Sequence, residues 1–246
     1  MSPFCESVPS TFVNLCQYGP PIIDGAIITI EVAFLSLLLS VMLGLLGASA
    51  KLSSNLILKG IATTYTTLIR GVPDLVLMML IFFGGQMAMN NLSDWLYDTY
   101  EWEIFFNINE FFAGVVTIGF IFGAYMAETF RGAFQAVENG QIEAGKAYGM
   151  TPWQIFIRIM FPQMMRHALP GIGNNWLVLL KTTALVSVIG LSDMVRLASE
   201  ASKAVHEPFM FFIPVAMAYL VLTSLSEWML NKLERKYSAG IHRGAT

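Results

Sequence analysis

The sequence is poor in charged residues. Lys, Arg, Asp and Glu make up 13% of its 246 residues, and the formal net charge is only −3. Soluble domains contain about 25% charged residues, so this composition argues against an ordinary soluble domain. A net charge so close to zero gives no sign of nucleic acid or another highly charged partner. The hydrophobic share of 55% instead favours a membrane protein.

Residues that serve metal, redox or phosphate chemistry are also scarce. His167, His206 and His242 are scattered and have no Cys or carboxylate neighbours at metal-site spacing, so we predict no metal site and no catalytic group. The absence of a GxxxxGK[ST] phosphate loop means that ATP hydrolysis by that route needs another subunit. Of the two cysteines, Cys5 and Cys16, unpaired thiols are the favoured interpretation, and a disulfide stays open if this end meets an oxidising compartment.

The chain does contain apolar runs long enough to cross a bilayer. A hydrocarbon core of about 30 Å needs about 20 residues of helix. We expect spanning helices at residues 24–50, 61–89 (interrupted by RGVPD), 111–134, 175–191 and 209–230. The predicted class is an all-α integral membrane protein with about five transmembrane helices. A single membrane domain, 21–237, would follow an N-terminal segment, 1–20, and precede a tail, 238–246.

Lys and Arg are distributed unequally between the predicted loops, which indicates the orientation. Ten of the 14 fall on one side: Lys51, Lys59, Arg131, Lys146, Arg158, Arg166, Lys232, Arg235, Lys236 and Arg243. Only Arg196 and Lys203 fall in loops on the other side. The charged residues of the loop 90–110 on that side are all acidic. We therefore expect the N-terminus outside, the C-terminus inside and a cytoplasmic segment at 140–170.

This cytoplasmic segment is polar and interrupted. We expect two short helices with a sharp joint, because Gly149 can take the left-handed conformation that ends the first helix. Thr151 can then cap the second helix, and Pro152 can begin it. Pro162 and Pro170 are expected to break the chain again before the fourth spanning helix. A helix lying on the bilayer surface and a docking element for a cytoplasmic partner are both compatible with these residues.

The sequence EAGKAYGMTPWQIFIRIMFPQ resembles the EAA loop of ABC-importer permeases. The positions of that motif are filled by Glu143, Ala144, Gly145, Gly149, Ile159 and Pro162. Gly145 stands where Ala is common. The sequences TLIRGVPDLVLM, AYMAETFRGAFQAV and ALPGIGNNWLVLLKTTALVSVIGL resemble the polar-amino-acid permease family, so the similarity covers residues 20–237. Within that family the chain resembles permease subunits of histidine and lysine/arginine/ornithine importers.

This resemblance implies a type I ABC importer permease fold in the bacterial inner membrane. Residues 143–149 would form a coupling helix seated on a dimer of ATP-binding subunits. Those subunits would bind ATP and Mg, so no cofactor is expected in this chain. A homologous second permease would complete the transport pathway, and both permeases would be embedded in membrane lipid. A periplasmic binding protein would deliver a polar amino acid.

Two other classes of protein stay open at this stage. A stand-alone secondary transporter or channel would need no ATPase, but such carriers usually contain internal repeats, and no repeat is evident. An integral membrane enzyme would need polar catalytic residues clustered on one face, and the sequence shows no such cluster.

Six polar residues are candidates for the substrate pathway, because polar groups at membrane depth usually face the protein interior or a cavity. They are Asp74, Glu128, Asn174, Asn175, Lys181 and Asp193. Asp74 follows Pro73 in an interrupted helix, as in substrate sites of other transporters. Its charge favours a basic amino acid: arginine, ornithine, lysine or histidine. An ion pair with Arg70, four residues earlier, is the alternative.

The other candidates also have structural alternatives. For Glu128, an ion pair with Arg131 three residues later is favoured over contact with substrate. Lys181 can extend to the membrane interface or pair with Asp74 or Glu128.

The last three candidates lie at predicted helix ends. Asn174 and Asn175 stand at the expected start of the fourth spanning helix, where capping is favoured over substrate contact. Asp193 comes after the expected end of that helix. A solvated helix end is the favoured interpretation for Asp193, and a gate is the alternative.

Overall fold

The computed structural model of the chain describes residues 13–103 and 108–237. Within these ranges the chain is helical and contains no strand. The α-helices are α1 (Val13–Leu52), α2 (Leu56–Gly71), α3 (Asp74–Tyr100), α4 (Glu110–Gln135), α5 (Asn139–Ala147), α6 (Pro152–Ile155), α7 (Phe161–Thr182), α8 (Met194–Val205) and α9 (Pro208–Tyr237). A π-helical turn, Phe156–Met160, joins α6 to α7, and a 3₁₀ turn, Thr183–Ser187, follows α7.

Five helical stretches of the described chain are long and apolar enough to cross a membrane. They are Val13–Leu52, Asp74–Tyr100, Glu110–Gln135, Pro152–Ile189 and Pro208–Tyr237. Their number and the helical architecture confirm the predicted class. The bounds of the second span differ from the prediction, since α2 has 16 residues and a spanning helix needs about 17–25. The second span is therefore α3 rather than residues 61–89.

The predicted interruption in the RGVPD sequence is a complete break between α2 and α3. Val72 is extended, with φ −115° and ψ 140°, because the ring of Pro73 excludes the helical conformation from the residue before it. Beyond the break, α3 continues to Tyr100. Most of the loop predicted at 90–110 is therefore helical, and the apolar pattern ends before the helix does.

The first helix begins earlier than hydropathy predicts. α1 starts at Val13 rather than at residue 24, and Pro20 and Pro21 lie inside it. Its first turns pack against α8 and α9, with the ring centroid of Tyr18 5.8 Å from that of Phe211 in an edge-on arrangement. This tertiary contact stabilises turns that are too polar to be recognised as part of a membrane helix.

The cysteine in these first turns is oxidised. Cys16 is disulfide-bonded, so the unpaired-thiol interpretation is wrong for this residue. Cys5 and the predicted tail, 238–246, lie outside the described residues.

The prolines at 162 and 170 do not break the chain, contrary to the prediction. Pro162 is the second residue of α7 and directly follows the π turn, where the regular i→i−4 pattern is already interrupted and a residue without an N–H is tolerated. The π turn before it absorbs the irregularity, because the N–H of Phe161 donates to the carbonyl of Phe156, five residues earlier. Pro170 lies inside α7. The fourth span consequently begins far ahead of residue 175.

Glycines let α1 and α4 approach closely at the centre of the molecule. A Cβ added to Gly44 of α1 would lie 2.4 Å from Cβ of Met126 in α4. Reciprocally, a Cβ on Gly119 of α4 would lie 2.7 Å from Leu39 of α1. Small residues at a helix interface are typical of membrane proteins, where close packing replaces the hydrophobic effect as the force between helices. α4 is consequently mostly buried, whereas α3 and α9 are mostly exposed.

Candidate functional site

The predicted joint in the segment 140–170 is present. α5 ends in a Schellman motif, in which the N–H of Met150 donates to Gly145 (3.1 Å) and that of Gly149 to Lys146 (3.0 Å). Gly149 has φ +74°, a conformation that glycine adopts without steric strain. Thr151 and Gln154 then form a reciprocal capping box at the start of α6, with distances of 3.3 Å and 2.9 Å. The roles predicted for Gly149, Thr151 and Pro152, the first residue of α6, are confirmed.

One side of α5 packs against the helix that follows it. Gly145 is buried, and a Cβ added there would lie 2.9 Å from Cδ1 of Ile159 and 3.2 Å from Cγ1 of Ile155. The absence of a side chain at Gly145 thus permits close contact between α5 and the π turn. The ends of isoleucine side chains can rotate away, so the Ala that is common at this position would need only a small adjustment.

The other side of α5 is exposed. Glu143 and Ala144 lie on this side, and Tyr148 at the joint has 89% of its surface exposed. Trp153, at the start of α6, is 69% exposed. Pro162 is exposed as well, at the start of α7. Tyr148 is a site candidate that the motif does not include, and its position after α5 is the signal that could have identified it.

This segment also shares part of the spacing of a phosphate loop. Gly140, Gly145 and Lys146 match GxxxxGK, but Ala147 follows where Ser or Thr would bind Mg. All four residues belong to the helix α5, whereas a phosphate loop needs a non-helical backbone whose N–H groups converge on the phosphates. The segment is therefore not a nucleotide site.

Glu128 lies at the centre of an ion network. Its Oε2 accepts hydrogen bonds from Nε (2.9 Å) and Nη2 (2.8 Å) of Arg131, which confirms the predicted pair. Its Oε1 accepts a second bond from Nζ of Lys51 in α1. Lys51 also donates to Oγ1 of Thr66 in α2, at 2.7 Å. Lys51 was predicted to lie in a loop, and its pairing with Glu128 was not predicted because the two residues are 77 positions apart.

Asp74 lies at the break between α2 and α3. It is the first residue of α3 and is half-buried. Among the described residues no ion pair joins it to Arg70, because the extended Val72 removes the helical geometry on which that pairing depends. The guanidinium of Arg70 instead lies over the ring of Tyr125, 5.6 Å from its centroid. Tyr125 is within electrostatic range of both charges.

The asparagines and the lysine of the fourth span have other positions than predicted. Asn174 and Asn175 lie in the middle of α7 rather than at its start, so the capping prediction is wrong. Asn174 is exposed, whereas Nδ2 of Asn175 donates to Oγ1 of Thr129 in α4 at 3.0 Å. Lys181 is exposed in the last turn of α7. In the part of the chain that the structure describes it forms no ion pair with Asp74 or Glu128.

Asp193 begins a helix instead of ending one. It is fully buried, and its carboxylate accepts hydrogen bonds from the N–H groups of Val195 (3.2 Å) and Arg196 (3.0 Å), which caps α8. Burial raises the pKa of this carboxyl group to about 6. The solvated helix end is therefore wrong. The cap was not predicted because α8, with 12 residues, is amphipathic and too short to be recognised as a membrane helix.

Comparison with known proteins agrees with the resemblance read from the motifs. Residues 40–239 match the family described as the binding-protein-dependent transport system inner membrane component. The chain is 54% identical over 230 residues to the histidine/lysine/arginine/ornithine transport system permease protein HisQ of Salmonella typhimurium, covering 93% of this chain and 98% of that one. HisQ of Escherichia coli K12 is 52% identical over 229 residues, with coverage of 93% and 98%.

Solved structures of ABC transporters have a similar fold. The structure described as an amino acid ABC transporter with histidines has a TM-score of 0.76 at 34% identity, covering 93% of this chain and 100% of that chain. An inward-facing structure of the MetNI methionine ABC transporter shares the fold alone, with a TM-score of 0.65 at 14% identity and coverage of 94% and 100%. The chain therefore belongs to the family of binding-protein-dependent transport system inner membrane components and is a permease subunit of an ABC importer.

Proposed function

We propose that this permease translocates a basic amino acid (arginine, ornithine, lysine or histidine) and that a periplasmic binding protein delivers it. Two observations support this substrate class. The relatives of highest identity described above are named for histidine, lysine, arginine and ornithine. In addition, the carboxylate of Asp74 is half-buried at a helix break and has no salt-bridge partner in the described chain, so it can receive a cationic side chain.

The proposed complex gives this chain three kinds of protein partner. Two ATP-binding subunits hydrolyse ATP with Mg, a homologous second permease lines the other half of the pathway, and the binding protein docks from the periplasm. The N-terminal segment, 1–20, faces the periplasm and the tail, 238–246, faces the cytoplasm. The distribution of Lys and Arg supports this orientation, and the disulfide at Cys16 suits an oxidising compartment.

The observation that supports coupling to an ATP-binding subunit is the exposed helix α5, which packs closely against the helix that follows it. The Schellman motif and the capping box fix both sides of the joint, and the buried Gly145 seats α5 against Ile155 and Ile159. Because of these contacts, a displacement of α5 would also displace α7. Glu143 and Ala144, on the exposed side, are positioned to contact an ATP-binding subunit. The carboxylate of Glu143 can accept charge-assisted hydrogen bonds from basic groups there.

The test is a charge reversal on the exposed side of α5. The full complex carrying Glu143→Lys is purified, reconstituted into proteoliposomes and assayed for ATP-driven uptake of labelled arginine. A charge-assisted hydrogen bond contributes about 1.5–3 kcal/mol, so uptake should fall by at least tenfold. Gln141→Lys, an equally exposed change on the same helix, is the matched control and should retain uptake.

Two results would count against the proposal. Equal uptake by the Glu143→Lys and Gln141→Lys complexes would show that α5 does not couple ATP hydrolysis to transport. Uptake by the permease alone, driven by an ion gradient without ATP-binding subunits, would favour a stand-alone secondary transporter. Competition by arginine, ornithine, histidine and glutamine for the binding protein tests the substrate class separately.

A further inference from the structure

A row of polar contacts links four helices of the bundle, from α7 through α4 to α1 and α2. Asn175 of α7 donates to Thr129 of α4 at 3.0 Å. The neighbouring Glu128 of α4 accepts from Lys51 of α1, and Lys51 donates to Thr66 of α2 at 2.7 Å. We name these five residues the polar belt. Four helices are thus joined by hydrogen bonds within a predominantly apolar core.

The two central residues of the polar belt face opposite neighbours. Thr129 is directed to α7, where a Cβ added to Gly171 would lie 2.6 Å from its Cγ2. Glu128 is directed to α1 and α2 through Lys51. Because successive residues of a helix point about 100° apart, the adjacent residues Glu128 and Thr129 contact neighbouring helices on two different sides of α4.

The polar belt is connected to the coupling helix by a continuous helical rod. α5 packs through Gly145 on Ile155 and Ile159. These isoleucines belong to α6 and the π turn, which continue into α7 without a break up to Asn175. A displacement of α5 therefore moves α7, and Asn175 is a point at which α7 contacts α4 by a directed hydrogen bond.

Helix association alone does not account for the ion pair in the polar belt. α1 and α4 already interlock through Gly44 and Gly119. The side chains of Lys51 and Glu128 are only 12% and 17% exposed. A partly buried pair of this kind can be no more stabilising than apolar residues of the same size, because both charges lose part of their hydration. A pair of this kind is better explained by a need for defined positions.

We propose that Glu128 and Lys51 are positioning residues that transmit the movement of α5 and α7 to α1 and α2, and that Glu128 is not a substrate ligand. This inference rests on the proposed function of α5 as the coupling helix. Arg131 holds Glu128 from its other oxygen, which orients the carboxylate toward Lys51. Loss of either charge should leave an assembled complex in which ATP hydrolysis no longer drives the membrane helices efficiently.

The experiment measures uptake of labelled arginine and ATP hydrolysis in the same proteoliposomes containing the whole complex. The variants are Glu128→Gln, Lys51→Met and the double variant. Each single variant should lower the uptake per ATP hydrolysed by at least tenfold, with an unchanged KM for arginine. Glu200→Gln, which removes an exposed ion pair with Arg196, is the control and should leave this ratio unchanged.

The double variant separates transmission from a structural role. Glu128→Gln leaves the charge of Lys51 without a counter-ion, and the double variant removes that charge, so the thermal midpoint lost in Glu128→Gln should be recovered. The uptake per ATP should stay low, because the connection itself is missing. Recovery of this ratio together with stability would overturn the proposal in favour of a structural pair. A raised KM in Glu128→Gln but not in Lys51→Met would show that Glu128 binds substrate. If the unmodified complex shows no ATP-dependent uptake, the proposed function fails instead.

Discussion

The joint after α5 can be tested with two glycine substitutions that differ only in backbone conformation. Gly149 and Gly140 are both exposed, and a Cβ added to either has no heavy atom within 4 Å. Gly149 has φ +74°, where an L-residue is destabilised by about 1–2 kcal/mol. Gly140 is helical within α5, where alanine is favoured over glycine by about 0.5–1 kcal/mol. Gly149→Ala should therefore weaken the joint, and Gly140→Ala should slightly strengthen its helix.

Hydrogen–deuterium exchange followed by mass spectrometry reports on the joint directly. The amides of Gly149 and Met150 donate to carbonyls of α5, so they exchange only when the Schellman motif opens. A loss of about 1–2 kcal/mol should increase the exchange rate of peptides covering these amides by a factor of about 5–30. ATP-driven arginine uptake should fall in Gly149→Ala and persist in Gly140→Ala. Equal exchange rates in the two variants would refute the argument that the left-handed conformation holds the joint.

Two further changes test the packing of the bundle and the charge at the helix break. Gly44→Ala places a methyl group 2.4 Å from Cβ of Met126, so it should destabilise the protein by about 1–3 kcal/mol and lower the thermal midpoint of the purified complex. Gly60→Ala adds a methyl group with nothing within 4 Å, and a midpoint lowered equally there would contradict the steric explanation. Asp74→Asn should reduce arginine and histidine uptake by at least tenfold, through loss of a charged hydrogen bond of about 1.5–3 kcal/mol. Uptake at the unmodified rate would show that Asp74 is structural.

The features that could be predicted from the sequence depend on local physics. The joint follows from Gly149, Thr151 and Pro152 because a left-handed turn, a cap and a first helical residue each act within a few positions. The pair of Glu128 with Arg131 follows from their spacing on one helix.

The errors occurred where local signals compete with tertiary packing. Pro162 predicts a break, but the π turn before it keeps the helix continuous. Pro20 and Pro21 lie within a helix whose first turns are stabilised by contact with α8 and α9. Asn175 looked like a cap because the start of α7 is too polar to be recognised by hydropathy.

Composition and local patterns are enough to predict a five-span membrane protein with a jointed segment at 140–170, because apolar length, caps and turns are properties of short stretches. The permease family was indicated by the resemblance of its motifs. Which charges meet is decided by the fold. Lys51 and Glu128 lie 77 residues apart, and only the close approach of α1 and α4 through their glycines brings them into contact. Asp193 is buried for the same reason, since its position depends on the packing of α8 against α1 and α9, although its cap of α8 is a local contact. Long-range pairing depends on how helices are placed against one another, and no short stretch of sequence contains that information.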